Sequence, residues 1–184
     1  MNKEKIRKPL RLNNFDYSSH NAYFVTICTQ GRKCLLSNIE NEEFVELTQI
    51  GKITEKQWYW IETRFSNASL DEYVIMPNHI HGIITLDEKY DSIKKPLGQI
   101  IGAFKTTSTK LINDINKTPK HQFWQRGFHD RIIRNERELS ALREYIKNNP
   151  LKWHLDVENP KRIELTNMAA RERPLRNKSF KRYH

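Results

Sequence analysis

Leu70-Asp-Glu-Tyr-Val-Ile-Met-Pro-Asn-His-Ile-His-Gly-Ile-Ile-Thr-Leu86 decides the fold. Two runs rich in β-branched residues, Leu70–Met76 and His79–Leu86, flank Pro77-Asn78. Proline and asparagine suit tight turns, so the stretch reads as a β-hairpin. Residues two apart on a strand face the same side. The imidazoles of His79 and His81 therefore project together while Ile80 points the other way. Two imidazoles so placed can share one metal ion, although histidine pairs on strands are often ordinary half-buried residues. Spacing excludes three neighbouring chemistries. A histidine-triad hydrolase would need a third histidine where Ile83 stands. A barrel amidohydrolase needs about 250 residues, and a zinc protease sets its pair four apart on a helix.

Outward from this hairpin, a strand is expected at Tyr23–Thr29, ending at Gly31. Apolar residues at helical spacing predict a helix over 42–64, with Phe44, Leu47, Ile50, Ile53, Trp58 and Ile61 on its stripe and Gly51 as a weak point. A second helix runs from about Gly98 to Ile115, on Ile100, Ile101, Phe104, Leu111 and Ile115. A short strand region covers Phe123–Ile133. The last helix starts at Asn135, a good N-cap, with Glu138 completing a capping-box pattern, and Pro150 stops it. Leu139, Leu142 and Ile146 make its buried face. The order predicts an α+β domain, an antiparallel sheet with helices packed on one face.

The chain has 184 residues and a net charge of +10. Residues 1–11 carry +4 and residues 161–184 carry +6, so the body between is neutral overall. We therefore divide the chain into a single domain at 12–155, a basic N-terminal arm at 1–11 and a basic C-terminal tail at 156–184. Basic arms gain affinity for phosphate-rich partners by releasing counterions. Two cysteines, Cys28 and Cys34, make neither a disulfide framework nor a zinc site. No secretory signal and no membrane span are visible. The expectation is a cytoplasmic, nucleoid-associated protein.

Tyr145 lies in Leu142-Arg-Glu-Tyr-Ile-Lys-Asn-Asn149. A phenol with a pKa of about 10 is a poor nucleophile unless its target phosphate is polarised and held in line. Asn149, one turn on, is a candidate oxygen ligand on the same face. Because Pro150 pushes its predecessor from helical geometry, Asn148 is the alternative. Lys105, with the hydroxyls that follow it, and the cluster Trp124, Gln125, Arg126 and His129 are candidate contacts to phosphates and unpaired bases. Phe123, Trp124 and Phe128 serve the core equally well, Trp124 above all.

Four segments in order carry a family resemblance. Tyr73–Ile84 resembles the HUH segment of single-tyrosine transposases, and Ile100–Lys105 their second helix. Phe123-Trp-Gln-Arg-Gly-Phe-His-Asp-Arg131 and Glu144–Pro150 resemble the run into the nucleophile helix. The match is to the REP-associated tyrosine transposase subgroup, over roughly residues 15–155. The resemblance implies a ferredoxin-like, RRM-like fold and a Mg2+ or Mn2+ ion at His79 and His81, completed by Asn149. It implies that Tyr145 attacks DNA to give a 5′-phosphotyrosine link and a free 3′-hydroxyl. Single-stranded or hairpin DNA is the implied partner, gripped by Lys105, Arg126, His129 and Arg131, by a monomer or homodimer. A non-cleaving hairpin-binding module of the same fold is the rival reading. Replication initiators and relaxases usually need more domains than this length allows.

Overall fold

The computed structural model describes residues 21–40, 44–87, 95–156, 158–160 and 162. The basic arm at 1–11 and nearly all of the tail lie outside these residues. Six strands and three α-helices follow in order: β1 Asn21–Cys28, β2 Ser37–Glu40, β3 Phe44–Leu47, α1 Gln49–Arg64, β4 Ala68–Ile75, β5 His79–Leu86, α2 Leu97–Asn116, β6 His129–Ile133 and α3 Glu136–Lys147. Short 3-10 turns occupy Gln30–Arg32 and Pro150–Leu155.

The main sheet has the order β4-β5-β1-β6, and every neighbouring pair is antiparallel. With β2–β3 as a separate hairpin, the chain traces β-α-β-β-α-β, the ferredoxin-like pattern, and then adds α3. The β4–β5 turn is as tight as Pro77-Asn78 requires: Met76 N–H donates to His79 O at 2.8 Å.

Strand alternation splits the sheet into two faces with different tasks. Tyr23, Val25 and Ile27 of β1 and Ile80, Ile84 and Leu86 of β5 join Trp58, Ile61, Ile100 and Phe104 in the main core. α1 and α2 thus cover one face. The other face carries Phe24, Ile83 and Ile133, which meet Ile146, Leu139 and Leu142 of α3. His79 and His81 share this second face, at register positions beside Cys28 and Thr26 of the central strand.

Two boundaries and one buried face differ from the sequence expectation. The helix expected over 42–64 begins at Gln49, because Thr48 caps it by accepting from Gly51 N–H at 3.0 Å. Phe44–Leu47 forms β3 instead, paired with β2, and Phe44 is 69% exposed rather than in a helical stripe. In α2 the buried phase runs through Leu97, Ile100, Ile101, Phe104, Ser108 and Ile112. Leu111 and Ile115 fall beside that stripe and are exposed. The strand expected from Phe123 begins at His129; before it the chain makes one isolated bridge, Thr29 to Trp124.

Candidate metal and tyrosine site

The hairpin turn that places the histidines also fixes their protons. Asn78 is fully buried, and its Nδ2 donates to Arg32 O at 3.1 Å and Glu158 O at 2.6 Å. Those two donations leave Oδ1 facing Nδ1 of His79 at 2.8 Å. A carbonyl oxygen only accepts, so His79 Nδ1 carries the hydrogen and Nε2 keeps a bare lone pair. That Nε2 is buried with no hydrogen-bond partner among the described residues. Asp156 Oδ2 stands 3.9 Å from it. Thr26 Oγ1 lies 2.9 Å from His81 Nδ1 and can orient the second ring in the same way.

Both imidazoles are neutral at pH 7. Burial pushes His79 well below its usual value, with nearby His81 and Arg32 acting in the same direction. Burial alone lowers His81 to about 4. Neutral imidazoles with free lone pairs suit a cation rather than an ion pair with Asp156. Candidate ligand atoms of His79, His81 and Asp156 all lie within 4.8 Å of one another. Two imidazoles and a carboxylate, with an orphaned buried nitrogen among them, fit a divalent ion.

α3 carries Tyr145 over this cluster. Its phenol oxygen lies 3.4 Å from His81 Nε2 within the same chain. The Phe24 ring stacks on His81 and meets Tyr145 edge-on, at centroid distances of 5.2 and 5.9 Å. Burial raises the phenol above its ordinary pKa; the Asn149 amide opposes this and the Asp156 charge adds to it. Tyr145 is therefore no ready-made phenolate. It stands between two hollows. One of about 390 Å³ is lined by Thr26, His129 and Arg131 with His81, and one of about 250 Å³ by Asn149 and Lys152. Asp156 borders both.

The structure sorts the remaining sequence candidates. Asn149 keeps helical backbone angles despite preceding Pro150, is buried, and its Oδ1 has no hydrogen-bond partner among the described residues. It lines the hollow beside Tyr145. His129 and Arg131 line the larger hollow from β6, Arg131 paired with Glu138. Arg126 is solvent-exposed on the preceding loop. Lys105 lies apart: Nζ donates to Gln125 O at 2.7 Å and Gly127 O at 2.6 Å, and burial lowers its pKa to about 8. It braces the loop before β6, and its groove includes Gln122 and Trp124. Trp124 itself is core, donating to Ser108 Oγ at 2.9 Å.

Asp156 is the functional candidate that sequence reasoning missed, since it opens the stretch assigned to the tail. The 3-10 turn after Pro150 folds that stretch back, and Glu158, held by Arg32 at 2.7 Å, fastens it. Glu158 thus packs against the domain through Arg32 and Asn78.

A family model described as "Transposase IS200 like" matches residues 17–149. The chain belongs to the IS200-like transposases. Two Haemophilus influenzae proteins are similar to this transposase. One, of uncharacterised function, is 31% identical over 167 residues, covering 82% of this chain and 91% of its own. The other carries a name that places it among REP-associated tyrosine transposases; it is 28% identical over 142 residues, 74% of each chain. A solved structure of a REP-associated tyrosine transposase bound to a REP hairpin superposes with a TM-score of 0.57 at 20% identity. It covers 77% of this chain and 73% of that one. Among the described residues, no helix of the transposase is long and apolar enough to cross a membrane.

Proposed function

We propose that this transposase is a metal-dependent single-strand DNA transesterase that cuts and rejoins DNA beside hairpins, with Tyr145 as nucleophile. The observation that carries the reading is the 3.4 Å approach of the Tyr145 phenol to His81, beside the orphaned His79 Nε2 and Asp156. His79 and His81 would hold Mg2+ or Mn2+, with Asp156 or Asn149 as the oxygen ligand; imidazoles favour Mn2+ by softness. Such an ion supplies Lewis-acid polarisation of the scissile phosphate.

The chain's own residues do the rest. α3 delivers the phenol in cis, so a monomer suffices. The phenol oxygen bonds to phosphorus as the bond to the 3′ oxygen breaks. The phenolic proton balances the one that the departing 3′-hydroxyl takes up, so the exchange needs no net acid or base. The product is a 5′-phosphotyrosine that a 3′-hydroxyl can reverse. His129 and Arg131 border the hollow where the flanking nucleotide would lie, and the exposed Arg126 with the basic ends would hold the backbone. The hairpin substrate is carried over from the relative solved with a REP hairpin. Such an enzyme works in the cytoplasm, where the chromosome is.

The test uses a 3′-labelled oligonucleotide bearing a hairpin, with Mn2+, so that the label stays on the strand joined to the protein. Wild-type protein forms an adduct that survives denaturation, and Tyr145→Phe forms none. An adduct with Tyr145→Phe would disprove the nucleophile. Hairpin binding without any response to Mn2+ would favour a non-cleaving binder.

A further inference from the structure

The nucleophile helix rests on little apolar surface. Ile146 is the buried residue of α3, while Leu139 and Leu142 are half-buried. So narrow a stripe does not by itself fix the rotation of the helix about its axis. Rolling by a tenth of a turn moves a side-chain tip at a radius of roughly 5 Å by about 3 Å. Something besides the core must set the phenol's position.

Arg143 and Lys147 lie one turn apart on α3, two residues before and two after Tyr145, and both reach the edge strand β4. Arg143 donates from Nε and Nη2 to the two carboxylate oxygens of Asp71, at 2.9 and 2.6 Å. Lys147 Nζ lies 3.5 Å from Glu72 Oε2. Successive residues of a regular strand face opposite ways. Asp71 and Glu72 nevertheless both engage α3, because the β4–β5 register shifts between Leu70 and Tyr73. Such bulges re-aim side chains. Part-exposed ion pairs add little to stability, whereas a bidentate guanidinium–carboxylate pair is strict in geometry.

We infer that the Asp71–Arg143 and Glu72–Lys147 pairs form a clasp that sets the roll of α3 and so aims Tyr145, making these four positioning residues. The inference rests on Tyr145 being the nucleophile proposed above.

The experiment compares the full-length wild type, Arg143→Met, the milder Asp71→Asn, and the reversed pair Asp71→Arg with Arg143→Asp. Three quantities are read: the single-turnover adduct rate at saturating hairpin DNA with Mn2+, the DNA Kd, and the ring resonance of 13C-labelled Tyr145. That resonance reports the His81 and Phe24 rings, 5.4 and 5.9 Å away. A misplacement of about 1 Å costs on the order of 100-fold in rate. Arg143→Met is expected to lose about 10- to 100-fold in rate with Kd changed less than about twofold. Asp71→Asn should lose less, and the reversed pair should recover most of the rate. The Tyr145 resonance should move in Arg143→Met and return in the reversed pair. Unchanged rate and resonance in Arg143→Met, or a reversed pair that restores neither, would overturn the clasp. Should wild-type protein form no adduct, the nucleophile assignment falls, and the resonance alone then decides the clasp.

Discussion

The Asp156 carboxylate stands 3.9 Å from Nε2 of His79, so the segment after the last helix brings a charged oxygen to the two imidazoles carried by β5. Asn149 Oδ1 is the competing oxygen, buried and without a hydrogen-bond partner among the described residues. A carboxylate is the stronger ligand for a hard divalent ion. Even partners outside the ligand set are worth about 10- to 100-fold in metal affinity. Asp156→Asn should therefore weaken Mn2+ binding, read by titration calorimetry, by roughly 10-fold or more. If Asp156→Asn binds as wild type does while Asn149→Ala does not, the amide is the ligand and Asp156 a bystander.

On the proposed reading, the Tyr145 hydroxyl and a bound cation would compete for one lone pair, because the phenol faces His81 Nε2. Removing the hydroxyl removes the competitor. A hydrogen bond of this kind is worth about 0.5–1.5 kcal/mol net, so Tyr145→Phe should bind Mn2+ roughly 2- to 10-fold more tightly than wild type. Weaker binding in Tyr145→Phe would mean that the phenol helps to hold the ion.

Gly51 sits near the start of α1, where the helix passes close to the β2 side of the molecule. A Cβ there would lie 2.0 Å from the backbone oxygen of Leu36. That oxygen is already fixed by Thr48, whose N–H and hydroxyl each donate to it at 3.0 Å. Backbone must therefore move. Gly51→Ala should destabilise the fold by about 2 kcal/mol or more, despite alanine's higher helix propensity. Chemical denaturation measures it; a neutral or stabilising result would show that α1 can slide away at no cost.

Gly51 also illustrates what was legible in the sequence. It weakened the helix assignment as an isolated residue, and only the packing explains it. Signals that are local came through. The Pro77-Asn78 turn, the Asn135 cap with its bond from Glu138 N–H at 2.9 Å, and the i, i+2 setting of His79 and His81 depend on neighbours in sequence. The β2–β3 hairpin did not, since Phe44-Val-Glu-Leu is too short to separate strand from helix by period. The second face of the sheet was equally hidden, because nothing in α3's pattern says which side it covers. Asp156 was invisible for the same reason: its place depends on the 3-10 turn after Pro150 and on Arg32, more than a hundred residues earlier.

Burial of neutral His81 makes stability depend on pH with a definite sign. In the unfolded chain its imidazole titrates near 6.5, and in the folded protein at about 4. The unfolded state therefore binds the proton first. Stability is intact above pH 6.5, falls as pH drops from 6.5 towards 4, and levels off below that. Between pH 7 and pH 5 the loss from this residue is roughly 2 kcal/mol. His79, lowered in the same direction, adds to it. Thermal unfolding across that range should show Tm falling with acid in the wild type, and more shallowly in His81→Leu. Equal slopes in the two proteins would mean that His81 is protonated, or exposed, in the native state.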